Sequence, residues 1–95
     1  MNVVHNPGAH RFEAVVEGHL CRLDYRLHEH DGEVMFTYTF VVPPLRGQAI
    51  AAELVRVGLE WAREQNLKVV PACSYVRAYM KRHRPTQDLL ADENP

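Results

Sequence analysis

Two adjacent prolines, Pro43 and Pro44, constrain the fold of this chain more than any other feature, because one periodicity ends at them and another begins after them. Proline gives no backbone N–H to a sheet ladder and is excluded from helix interiors, so neither a strand nor a helix runs through the pair. Before it, apolar residues alternate with period two. After it, they recur at helical spacing. The pattern predicts an α+β fold in which a sheet is laid down first and a helix follows.

On the first side, His10 to Val16 sets Phe12, Ala14 and Val16 against Arg11 and Glu13, which predicts a half-buried strand. Glu17-Gly18 turns the chain. From Leu20 to His28, Cys21, Leu23, Tyr25 and Leu27 point one way and Arg22, Asp24, Arg26 and His28 the other, a strand with one wet face. Asp31-Gly32 marks a hairpin, since glycine tolerates the positive φ of tight turns. The strand from Glu33 to Val42 carries Val34, Phe36, Tyr38, Phe40 and Val42 on one face and Met35, Thr37, Thr39 and Val41 on the other, so it is predicted to be central and covered on both faces.

Past the prolines, Ile50, Leu54, Val57 and Trp61, flanked by Ala51, Val55, Leu59 and Ala62, predict an amphipathic helix of about five turns. It ends at Asn66, which accepts a left-handed cap. Gly58 inside it marks close approach to a strand. Leu67 to Cys73 forms a short buried strand, and Pro71 should part it from a neighbour. Ser74 is placed as the cap of a last helix, Tyr75 to about His83, after which Leu89 and Leu90 dock and the last five residues fray. The order is β-β-β-α-β-α, a twisted mixed sheet with helices packed on it, joined late by a right-handed parallel crossover.

Ninety-five residues with 46% apolar content make one domain over 1–95, with an ordered core of about residues 10–90. A net charge of −1 and a pI near 6.6 lack the basic excess that binds phosphate backbones, so no nucleic-acid partner is expected. The first residues show no export signal and no apolar run is long enough to span a bilayer, so no membrane partner and a cytoplasmic location are expected. Cys21 and Cys73 fit neither a disulfide framework nor a zinc knuckle and are read as thiols.

The helix after Pro44 has no acidic residue until Glu53. Its first amides and its positive dipole end are left without a carboxylate, which makes an anion site; the plainer alternative is an ordinary helix start with a solvated Arg46. His28 and His30 offer either a metal pair on one strand face or a solvated turn. Without further ligands no metal is expected.

The segment "VVPPLRGQAIAAELV" resembles the acetyl-coenzyme A binding segment of the GNAT superfamily of N-acetyltransferases, an Arg or Gln, two residues, Gly, one residue, then Gly or Ala. Here that pattern falls on Arg46, Ala49 and Ala51, with Gly47, Gln48 and Ile50 between. With "VVPACSYVRAYMKRH" it resembles the small single-domain YjdJ-like branch, over about Arg11 to Leu90. Ala49 departs from the pattern, because glycine is usual there.

The resemblance implies an acetyl-coenzyme A-dependent N-acetyltransferase. Its diphosphate would sit on Arg46 to Ala51, and its pantetheine arm along Phe40, Val41 and Val42 where the sheet opens. Tyr79 corresponds to the tyrosine that protonates the departing thiolate, against the alternative of a packing tyrosine. Cys73 is read as a wall of the thiol pocket, a covalent acyl carrier or a core thiol. Acyl transfer would be direct, with the oxyanion accepting a backbone N–H near Val41 or Val42. The acceptor is an amine, on a small molecule or a protein side chain, reached through an open site or one completed in a homodimer. The alternative function is a non-catalytic acyl-coenzyme A binding or sensing module.

Overall fold

The computed structural model describes residues 1–91. Five strands form one sheet in sequence order: β1 (Val4–Asn6), β2 (Arg11–Val16), β3 (His19–His28), β4 (Glu33–Phe40) and β5 (Lys68–Pro71). The first four are antiparallel neighbours, and β5 runs parallel to β4 after the helix α1 (Ile50–Glu64). A second helix, α2 (Ser74–Arg82), follows β5, and a six-residue 3₁₀ helix, Arg84–Leu89, follows α2. The mixed sheet and the order of its later elements agree with the sequence.

The edge strand β1 is an addition to that order. It has three residues, too few for alternation to register, and is held by pairing Val4 to Asn6 with Glu13 to Arg11. His5 gives it a foothold: the imidazole stacks on Phe12 at 4.3 Å and its Nε2 lies 2.7 Å from the Tyr25 hydroxyl.

The core lies between the sheet and α1. Phe12, Leu23, Val34 and Phe36 from the strands meet Leu54, Val55 and Leu59 from the helix. Gly58 is the contact point. A Cβ there would stand 2.9 Å from Leu23 Cδ2 and 3.2 Å from the Phe36 ring, so only glycine lets the helix lie this close. Past Glu64 the chain leaves the helix through Asn66, whose φ of 58° is left-handed, and Leu67 N–H donates to the Ala62 carbonyl.

Strand β4 departs from strict alternation. Asp24 faces Tyr38 and Tyr25 faces Phe36, which leaves Thr37 as an extra residue, a β-bulge. Residues beyond it change sides. Thr39, opposite Leu23, joins the core face, whereas Tyr38 and Phe40 pass to the outer face with Asp24 and Arg22. There Tyr38 is 49% exposed, and the Arg22 guanidinium lies 5.5 Å and 5.3 Å from the Tyr38 and Phe40 ring centres. The expected single face running from Val34 to Val42 is therefore corrected at Thr37, and the outer face is not fully covered.

Leu89 is buried, Leu90 bridges to Val69, and Ala91 N–H donates to the Val69 carbonyl. Of the five end residues expected to fray, Ala91 is thus tied to β5 and the other four lie outside the described residues. Among the described residues, no helix is long and apolar enough to cross a membrane.

Candidate functional site

Pro71 sets the site up. Strand β5 follows β4 through the Phe36 to Pro71 pair, and Cys73 N–H donates to the Phe36 carbonyl at 2.9 Å. Past that bond β4 has no strand partner on its β5 side among the described residues, as the proline predicted, and its edge from Thr37 to Phe40 is left unpaired there. The chain continues through a 3₁₀ turn at Pro43–Leu45 into α1.

The start of α1 lies beside that open edge. Glu53 N–H is the first to donate to the carbonyl four residues back, that of Ala49; the amides from Gly47 to Ala52 form no backbone bond among the described residues. Both turn residues have positive φ, 87° at Gly47 and 64° at Ala49. Ala49 is the helix N-cap and has no side-chain oxygen to fold back on those amides. The first acidic residue is Glu53. Donors and dipole are thus left for an outside anion. Arg46 stands alongside, its Nε donating to the Val41 carbonyl at 2.9 Å, which holds the guanidinium at the mouth and leaves its terminal N–H groups free among the described residues.

Together these parts enclose a cleft of about 610 Å³, lined by the β4 end (Tyr38 to Val41), the turn into α1 and Tyr75. That is the size of an ordinary small-molecule pocket. Of the residues expected at the cofactor, Phe40, Val41, Arg46, Gly47, Ala49, Ile50 and Ala51 line the cleft. Val42, Gln48, Cys73 and Tyr79 do not line it. Cys73 lies one layer behind: it is buried, and its Sγ is 3.3 Å from the hydroxyl of Thr39, which is on the cleft wall. It also occupies the N-cap of α2, so the expected cap, Ser74, is instead the first helical residue and its side chain caps nothing.

Tyr79 lies away from the cleft. Its ring stacks on His83 at 4.0 Å and, with Arg56, Leu59, Glu60 and Thr86, borders a separate small hollow between α1 and the last 3₁₀ helix. Burial pushes its phenol above the ordinary tyrosine value. Two phenols line the cleft instead, that of Tyr38 on β4 and that of Tyr75, one turn earlier on α2. Tyr75, Thr39, Tyr38 and Leu45 were missed. Helical spacing puts Tyr75 and Tyr79 on one stripe of α2 and does not choose between them. Nothing in strict alternation signals Thr39 and Tyr38, because the bulge sets their sides.

Comparison with known proteins gives the chain's family and a similar fold. Residues 11–89 match the family model described as GCN5-related N-acetyl-transferase. The fold is similar to the NMR solution structure of a GCN5-like candidate N-acetyltransferase from Staphylococcus aureus, with a TM-score of 0.75 and 23% identity over 98% of this chain and 90% of that one. The match takes in β2 through the last 3₁₀ helix, and so both the opened strand and the unfilled helix start. The chain belongs to the GCN5-related N-acetyltransferase family of acyltransferases.

Proposed function

We propose that the cleft takes acetyl-coenzyme A and that the domain passes its acetyl group directly to an amine. The observation that carries this reading is the side-by-side placement of an unpaired strand edge and a run of unpaired amides at a helix start. The first suits an extended amide-bearing arm, and the second suits a diphosphate. The residues fit: a Cβ at Gly47 would meet nothing within 4 Å, so the turn is open to phosphate oxygens, and Arg46 adds a charge-assisted donor.

Bound acetyl-coenzyme A supplies a thioester whose carbonyl carbon an amine can attack. The chain's residues then have three tasks. The free edge of β4 near Val41 offers backbone N–H groups where negative charge develops on the carbonyl oxygen. Tyr75 gives a proton to the departing sulfur; a phenol's ordinary pKa near 10 is close enough to a thiol's 8.5 for that transfer. Thr39 walls the reacting end, and Cys73, buried behind it and not lining the cleft, fits the core-thiol reading better than that of a pocket wall or an acyl carrier. The amine loses its proton to solvent, since the cleft lining among the described residues includes no carboxylate and no imidazole.

That last observation also favours a second reading, a domain that binds acyl-coenzyme A as a sensor without turnover. One experiment separates the two. Coenzyme A at 100 times its dissociation constant raises stability by about 2.7 kcal/mol on either reading. Release of free thiol from acetyl-coenzyme A when small amines, polyamines or lysine peptides are added marks the enzyme. Binding with no thiol released across that panel marks the sensor, and no binding at all ends both.

A further inference from the structure

At the opposite end of β4 from the cleft, the β3–β4 hairpin gathers three side chains that the acyltransferase reading does not use. His28 and Glu33 are the paired residues that close the ladder, and Asp31 comes from the short 3₁₀ turn between them. One donor atom from each, an imidazole nitrogen and two carboxylate oxygens, lie within 4.8 Å of one another. His30, the other histidine of the turn, is not part of the group.

These donors have no competing partner. None of the three side chains forms a hydrogen bond or ion pair among the described residues. Lys68 is the natural counter-ion, since it faces Glu33 across the β4–β5 ladder, yet its ammonium donates to the Asp88 carbonyl at 2.8 Å instead. Two carboxylates without a cation beside them repel one another, and a bound cation turns that repulsion into attraction. The backbone holds the arrangement: Gly32, with φ of 65°, closes the turn by donating its N–H to the Glu29 carbonyl, and its carbonyl accepts from Lys68 N–H at 2.9 Å.

We propose that His28, Asp31 and Glu33 form a binding site for one divalent transition-metal ion of the zinc class. Ligand type argues for that class. Magnesium and calcium take oxygen donors almost alone, whereas one imidazole with two carboxylates suits zinc and its neighbours, with water completing the shell. Ligands about 2.1 Å from a common ion stand at most about 4.2 Å apart, so the three donors, all within 4.8 Å of one another, come onto one ion by side-chain rotation about a fixed hairpin. Several residues of strand separate it from the cleft, so the ion clamps the hairpin and takes no part in acyl transfer.

The test is calorimetric titration of the full chain with zinc chloride in a non-coordinating buffer, run with magnesium chloride as the comparison metal. The expected result is saturable zinc binding at one ion per chain, a raised melting temperature and no magnesium response. His28→Ala and Glu33→Gln each abolish the zinc response, and His30→Ala retains it. The site is overturned if zinc does not bind, if binding survives His28→Ala, or if His30→Ala removes it. Melting of each variant without metal checks that it is folded, and an engineered Glu33→His chain, which keeps three ligands, should bind zinc even if Glu33→Gln folds poorly.

Discussion

The two halves of strand β4 differ sharply although they are one continuous run of apolar and hydroxyl residues. From Glu33 to Phe36 the strand is paired on both edges and pressed under α1, with Val34 and Phe36 fully buried. Beyond the Thr37 bulge, from Tyr38 to Phe40, its strand partner among the described residues is β3 alone, and the other edge lies at the cleft. The first half spends its apolar area on stability. The second leaves a backbone edge and side chains facing the cleft, and Thr37 and Pro71 are the residues where one behaviour changes to the other.

The largest test of that contrast is truncation on either side of the bulge. Phe36→Ala should cost about 3–5 kcal/mol in denaturant unfolding, the range for a large core aromatic. Tyr38→Ala, at an exposed ring, should cost less than about 1 kcal/mol. Equal losses would mean the strand is not divided as described.

Next comes the open half. Tyr75→Phe should slow thiol release at least about a hundredfold with coenzyme A binding intact, the size expected when a general acid is lost. Tyr79→Phe should leave turnover near that of the parent chain. The reverse pattern would return the acid role to Tyr79 and require that helix to move.

A smaller effect is expected at Ala49, whose left-handed φ of 64° is strained in any residue bearing a Cβ. Ala49→Gly should raise stability by about 1 kcal/mol and tighten coenzyme A binding, read by melting and calorimetry. Lower stability with weaker binding would show that the methyl group is used.

The smallest belongs to the closed side. Burial holds the His5 imidazole below its ordinary value. The unfolded chain then binds more protons than the folded one, so the stability His5 contributes is complete above a pH of about 6.5 and is lost as pH falls through the lowered folded value. His5→Phe should flatten the melting temperature across that acid range while leaving coenzyme A binding unchanged. An unaltered slope would place the titration elsewhere.

Much of this was legible in the residues. Alternation gave β2, β3 and β4, helical spacing gave α1, Gly58 announced its close contact, and Pro71 announced the gap. The vacant helix start could be read from the missing acidic residue before Glu53. What could not be read depended on partners distant in sequence. Val4–Asn6 becomes a strand only because β2 offers an edge and Tyr25 a hydrogen bond. Thr37 bulges to suit β3, and that single insertion reassigns Tyr38, Thr39 and Phe40. The choice between Tyr75 and Tyr79 depends on how α2 rests against α1, which one helix's periodicity does not determine.

The central claim is that the amides after Gly47 and the free edge of β4 together receive coenzyme A. Amide NMR of the chain titrated with coenzyme A tests it most directly, alongside Ala51→Glu, which puts a carboxylate at the helix start where it favours the dipole and opposes a diphosphate. The account predicts saturable shifts concentrated at residues 37–41 and 47–52, and their loss in a variant that melts no lower than the parent. Shifts centred elsewhere, or binding unaffected by the added carboxylate, would contradict it.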